Sequence, residues 1–303
     1  MDTLFSLIFV YSFIFLGYLA KRIFKEEMDS RTLTIFSVYF LQPFVSAWGF
    51  SSSSLALEHA FVSFYYFIII ALVLLPTIFI AKTVFEDPKE QAIFSIAGLV
   101  GNTGNIGIPL GIALFGHSSV IYTTLINIAN VFVVYILGVY IYSRGSFSIQ
   151  KSLLNIIKIP IIPVSMVAII LNLNSIEIPS QIEEFLKMGA YGGIVLQLFL
   201  LGTFLYGLEM KRLRFSLLIG TLSQKFIFVP LVSALMLSFS DLSLFVQGII
   251  LMEMMTPLAI ANINLASLYD CRPQETATLI LLSTLIFIPV IFLLVKIIHY
   301  HYF

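Results

Sequence analysis

Apolar residues in this chain follow neither the alternation of a half-buried strand nor the stripe of a surface helix. They come in long runs, separated by short clusters of charged and turn-forming residues. A helix needs about 20 predominantly apolar residues to cross the hydrocarbon core. Cutting at the clusters leaves ten such stretches, near 3–20, 32–50, 60–81, 91–115, 119–142, 153–172, 190–208, 215–239, 242–268 and 275–298. The pattern predicts an all-α polytopic membrane protein of ten transmembrane helices. Lys21 and Arg22 follow the first apolar run instead of preceding it, and no small-residue cleavage site is evident, so that run reads as a retained helix and not a signal peptide.

One stretch does not fit a simple spanning helix. Gly101-Asn102-Thr103-Gly104-Asn105-Ile106-Gly107-Ile108-Pro109 places glycines, asparagines and a proline in the middle of the fourth segment. Lipid supplies no hydrogen-bond partners, so backbone freed from a helix at that depth persists only when it is buried in protein or lines a polar cavity. Interrupted helices of this kind hold substrate sites in secondary transporters. The break is therefore read as the floor of such a site.

Composition agrees with the membrane reading. Of 303 residues, 59% are hydrophobic and 11% charged, against about 25% charged in an ordinary soluble domain. A formal net charge of zero gives no sign of a nucleic-acid partner. The single cysteine, Cys271, excludes an internal disulfide and a cysteine-built metal site. Orientation follows from the basic residues. Lys21, Arg22, Lys25, Arg31, Lys82, Lys89, Arg144, Lys151, Lys158, Lys211, Arg212, Arg214 and Arg272 fall on one side of the alternation, Lys187 and Lys296 on the other, and Lys225 within a span. The rich side is assigned to the cytoplasm, which puts both termini outside.

Pro109-Leu110-Gly111-Ile112-Ala113 in the fourth segment resembles Pro257-Leu258-Ala259-Ile260-Ala261 in the ninth, at an offset of 148 residues, and a proline stands in each preceding helix, Pro76 and Pro230. Two five-helix halves, 1–146 and 147–303, joined by a short cytoplasmic linker around Arg144 to Lys151, would enter the membrane from opposite sides and form a 5+5 inverted repeat. Proline suits the first turn of a helix, so Pro109 and Pro257 are each expected to start a half-helix, with Thr256 as N-cap of the second. Each helix start carries roughly half a positive charge and unpaired N–H donors. Two such ends meeting at mid-bilayer would make an anion site.

The runs GNTGNIGIPLGIALFG from Gly101 to Gly116 and MTPLAIANINLASLYD from Met255 to Asp270 resemble the two crossing-helix signatures of the auxin efflux carrier family, which holds plant PIN carriers and bacterial organic-acid transporters. Pro43, Gly202 and the Lys225 to Pro230 spacing are further matches. The resemblance implies a fold of the sodium/proton antiporter and bile-acid/sodium symporter type, with two broken, crossing helices, the fourth and the ninth. It also implies a scaffold domain of helices 1, 2, 6 and 7, and a transport domain of helices 3–5 and 8–10 that moves as an elevator. The central loop is short, as in the bacterial branch, so auxin itself is not expected as substrate.

Asn102 and Asn105, with Gly104, Ile108 and Pro109 around them, offer donors and acceptors to a carboxylate or a cation; the alternative is that they only satisfy freed backbone. Asn127 and Asn130 share a helix face and either pack toward the crossing or join helices by hydrogen bonds. Asn262 and Asn264 follow Thr256 and Pro257 as counterparts in the second half. Glu253 is the only acid well inside a span, where an ionised carboxylate costs about 2.5 to 3.5 kcal/mol on insertion scales. It is either protonated and proton-coupling, or helps bind sodium. Lys225 neutralises Glu253, attracts the anion, or snorkels to the cytoplasmic face. His117, His299 and His301 lack partners at metal-ligand spacing, and Trp48 reads as an interface anchor. No catalytic cluster is evident and no cofactor is expected beyond a coupling sodium or proton. The expectation is a secondary transporter of a small organic anion such as malate, malonate or an auxin-like weak acid, working as a homodimer in the bacterial inner membrane. A bile-acid-type sodium symporter, a sodium/proton antiporter and a non-transporting sensor are the alternatives.

Overall fold

A computed structural model describes residues 2–51, 60–144, 150, 154, 158–206 and 214–302. Among these residues the regular elements are helical, and a lone β-bridge pairs Gly101 with Leu258. Helices Phe61–Val84, Val120–Ser143, Ser180–Leu205, Phe215–Ser238 and Pro273–Ile291 are each long and apolar enough to cross a membrane. Thr103–Phe115, Ile161–Leu173 and Leu244–Met255 are shorter apolar helices. The chain is thus a helical, polytopic membrane protein. Several boundaries move by a few residues and one moves far: the seventh stretch is expected from residue 190, but its helix begins at Ser180. Charges at Glu183, Glu184 and Lys187 mark the end of apolar sequence there, not the end of helix, and an acid in the first turn suits the positive helix end.

Local chemistry explains where helices start and where they widen. Asp29 accepts from the backbone N–H of Arg31 and Thr32, both at 3.1 Å, and so caps Ser30–Phe36. Asp87 caps Pro88–Ile96 through the Lys89 N–H at 2.8 Å, with Pro88 in the first turn. Four π-helical turns occur among the described residues, and three of them, Ser37–Leu41, Thr103–Gly107 and Gln224–Phe228, share a feature. In each, a proline, Pro43, Pro109 or Pro230, stands two residues beyond the turn. A proline cannot donate to the carbonyl four residues back, and its ring crowds that carbonyl. Widening the turn just upstream is one way a helix accommodates this, and such turns are frequent at functional sites. Val133–Gly138 is also π-helical but has no following proline.

The chain forms two compact units. One comprises Met1–Leu57, Val131–Glu209 and Ile260–Ala277. Within it, Asp2–Phe24 packs along Ser180–Leu205. A Cβ at Gly17 would meet the Phe199 backbone and one at Gly202 the Ile14 backbone, so these two glycines set the close approach. Gln42–Ser51 packs against both Ser180–Leu205 and Ile161–Leu173, where the hydroxyls of Ser46 and Ser165 are hydrogen-bonded. Trp48 packs on Tyr191 at 5.4 Å between ring centres.

The other unit comprises Glu58–Asn130, Met210–Ala259 and Thr278–Phe303. Ala60–Val84 packs against Pro88–Ile96 and Val229–Ser238, and Phe215–Ser223 against Pro88–Ile96. Arg214 reaches the buried Glu90 carboxylate at 2.9 Å. Leu244–Met255 lies against both Thr103–Gly107 and Ile108–Phe115. Three of the boundaries between units fall inside apolar stretches, the fifth, ninth and tenth, and so do not follow helix numbering. The linker expected from Arg144 to Lys151 lies mostly outside the described residues.

Candidate functional site

Both interrupted segments exist, and the second unit contains their crossing. The fourth stretch is helical over Pro88–Ile96 and again from Thr103. The ninth is helical over Leu244–Met255 and again over Ala261–Leu268. Between the helical pieces the backbones run antiparallel: Asn102 N–H donates to the Pro257 carbonyl at 2.8 Å, and Ala259 N–H to the Val100 carbonyl at 3.0 Å. The groups that would be orphaned in lipid are satisfied nearby. Gly101 carbonyl accepts from Asn130 Nδ2 at 2.9 Å. Leu258 N–H donates to Ser283 Oγ at 3.1 Å. The Asn102 carbonyl takes the N–H groups of Ile106 at 3.1 Å and Gly107 at 3.2 Å. This meets the demand that buried backbone be paired.

Two sequence expectations need correction. Thr256 does not cap the second half-helix. It closes the preceding one, its hydroxyl donating to the Glu253 carbonyl at 2.7 Å. Nor does Pro257 start a helix, since the next one begins at Ala261, with Ile260 at its N-cap and no side-chain cap bond. The reason is steric: the ring of Pro257 drives the residue before it out of the helical region, and Thr256 sits at φ −55°, ψ 148°. Pro109, by contrast, lies in the first turn of Ile108–Phe115, downstream of a π turn that begins at Thr103. The bridge pairs Gly101 with Leu258.

Asn130, 5% exposed, is committed to structure. Besides holding Gly101, its Nδ2 donates to Thr103 Oγ1 at 3.1 Å, and its Oδ1 accepts from the Tyr66 hydroxyl at 2.7 Å. Asn127 accepts from Thr103 Oγ1 at 2.8 Å. A Cβ at Gly104 would stand 2.9 Å from that same Asn127 oxygen. Asn102 occupies the N-cap position of the Thr103–Gly107 turn, yet its side chain makes no cap bond. The half-buried Asn105 is likewise without a side-chain hydrogen bond among the described residues, and the half-buried Ile108 begins the following helix.

Glu253 and Lys225 are both fully buried, and neither the carboxylate oxygens nor Nζ has a hydrogen-bond partner among the described residues. Both sit on the break. A Cβ at Gly107 would overlap the Glu253 carboxylate, and one at Gly101 would overlap Thr256 Oγ1 and stand 3.1 Å from Lys225 Nζ and 3.3 Å from the Glu253 carbonyl. Only glycine at these positions leaves room for the charged pair. The expectation that Lys225 might snorkel is corrected: Nζ is enclosed, held in the π turn before Pro230.

Asn262 and Asn264 belong to the other unit. Asn262 accepts from the Tyr142 hydroxyl at 3.3 Å. Asn264 is fully buried, and neither carboxamide atom is hydrogen-bonded among the described residues. Among the described residues no three His, Cys, Asp or Glu gather as a metal site. Sequence reasoning missed Tyr66, Thr103, Ser283, and the pair Gln224 and Thr77, whose side chains bond at 3.2 Å. A hydroxyl in the middle of an otherwise apolar span was the available signal.

Residues 3–295 match the family described as membrane transport protein. An uncharacterized transporter of Methanocaldococcus jannaschii, MJ1031, is 25% identical over 284 residues, covering 89% of this chain and 91% of that one. With the interrupted, glycine-lined crossing and the match over nearly the whole length, the chain belongs to the membrane transport protein family, that of the auxin efflux carriers.

Proposed function

We propose that this transporter carries a small organic anion, a mono- or dicarboxylate such as malate or malonate or an auxin-like weak acid, by secondary transport coupled to protons or sodium. The observation that carries this reading is the uncommitted chemistry at the break. Its carbonyls and Asn130 are taken up internally, while the side chains of Asn102 and Asn105 and the first N–H groups of the Thr103 turn are left to a ligand. A helix start with free N–H groups favours negative charge. In this reading ten helices form a 5+5 inverted repeat, and the division of the chain into two compact units supports an elevator in which one moves against the other. The protein would sit as a homodimer in the bacterial inner membrane with both termini outside, helices 1, 2, 6 and 7 as scaffold.

The test is a thermal-shift screen of purified protein with malate, malonate, lactate, short-chain acids and indole acids, with and without sodium and at two pH values, followed by uptake into proteoliposomes. Stabilisation by amines or neutral sugars, with no anion active, would refute the assignment. A second reading, a cation-coupled symporter or sodium/proton antiporter, draws support from one finding. The break contains no acid in sequence, yet Glu253 is brought against Gly107.

A further inference from the structure

The crossing gathers an oxygen-rich cluster. Around Gly101 and Gly107 lie the Glu253 carboxylate, the Glu253 carbonyl and the Thr256 hydroxyl. Hard cations are bound by carboxylate, carbonyl and hydroxyl oxygens of this kind. At the Gly101 end of this cluster, however, stands Lys225 Nζ, fully buried, without a hydrogen-bond acceptor and out of ion-pair contact with the Glu253 carboxylate, which lies at the Gly107 end. An ammonium has three donors and no acceptor capacity, so it cannot be a ligand to a metal ion. It can only compete with one. One buried carboxylate also needs one compensating charge, not two.

The sodium expected near Glu253 therefore does not fit the residues present. We propose that Lys225 is a tethered cation: its ammonium supplies to this crossing the positive charge that a bound alkali-metal ion would bring, so that this carrier works without sodium. The inference deepens the reading of the crossing given above and rests on it. Of the two coupling ions named there it leaves the proton. Tyr66, whose hydroxyl is held by Asn130, is a further titratable group at this crossing.

The test uses substrate-free protein in nanodiscs, so it holds or fails whatever anion is carried. Thermal midpoints are measured in sodium, potassium and choline chloride at equal ionic strength. The wild type should unfold at the same temperature in all three. Lys225→Met should unfold earlier in choline and recover saturably with sodium, because the emptied position becomes a cation site. Lys225→Met/Glu253→Gln, which buries no charge, should fold without any cation and ignore sodium. A saturable sodium stabilisation of the wild type that Glu253→Gln removes would overturn the proposal, as would a folded Lys225→Met that ignores alkali cations. Should Lys225→Met not fold, the double variant decides: recovery supports the tethered cation, and failure overturns it.

Discussion

Asn130→Ala tests whether the crossing is held by side-chain carboxamides or merely by packing. The substitution deletes the donations to Gly101 carbonyl and Thr103 Oγ1 and the bond accepted from Tyr66. Interhelical hydrogen bonds in a bilayer average about 0.6 kcal/mol, so the three together are worth about 2 kcal/mol. The Gly101 carbonyl and the Tyr66 hydroxyl are also left buried without partners, at about 1 kcal/mol or more each. The total loss is therefore expected at about 2 to 4 kcal/mol. Asn127→Ala is the internal control: half-buried, it gives up a single bond from Thr103, for about 0.6 kcal/mol. Chemical unfolding of both variants in bicelles or mild detergent measures the difference, and Tyr66→Phe closes a double-mutant cycle with Asn130→Ala. If Asn130→Ala were no less stable than Asn127→Ala, or if Tyr66→Phe and Asn130→Ala were additive, the claim that these groups replace the lost helical bonds would fail.

Asn105→Ala should weaken uptake or anion binding while leaving the unfolding midpoint intact, because its carboxamide supports nothing else; a fully active variant would return the residue to a backbone role. Gly107→Ala places a methyl on the Glu253 carboxylate, and overpacking of this kind costs about 1 to 3 kcal/mol, so a lowered midpoint together with lost uptake is expected, and unchanged behaviour in both would contradict the contact. Acid should loosen the start of Ser30–Phe36. The Thr32 hydroxyl, then the Arg31 N–H, hold the Asp29 carboxyl below its ordinary value. The cap thus stabilises fully above the unfolded value of about 3.9 and is lost as pH falls through the lower folded one. A fall in the hydrogen-exchange protection of Arg31 and Thr32, taken relative to the intrinsic rate at each pH, checks this, and Asp29→Ala should lack that protection at every pH.

What the sequence made legible was chiefly what prolines and glycines dictate locally. The break at Gly101–Pro109 could be read because nothing else suits that composition in a span. The shared face of Asn127 and Asn130 followed from their spacing. The conformation of Thr256 and Pro257 did not, because a proline is equally at home in the first turn of a helix and just after an extended residue, and only the neighbouring strand-like stretch at Val100–Asn102 selects between them. Similar side chains at Pro109 and Pro257 serve different backbones for a related reason. Long-range placements were out of reach. Nothing near Glu253 in sequence announces Gly107, and Tyr66 stands among phenylalanines and isoleucines as one more bulky residue.

The widened turns ahead of Pro43, Pro109 and Pro230 behave as if each carried one amino acid more than an ordinary turn. Removing one residue between Gln224 and Phe228 would tighten that helix to its regular pitch and swing everything upstream by about 100° around the axis, one step of a 3.6-residue spiral. Lys225 would then point away from Glu253 with no change in chemical identity. Single-codon gains and losses at these three places are thus a short evolutionary route for re-aiming a side chain, and relatives that differ in charge at the crossing are best aligned with a gap allowed there.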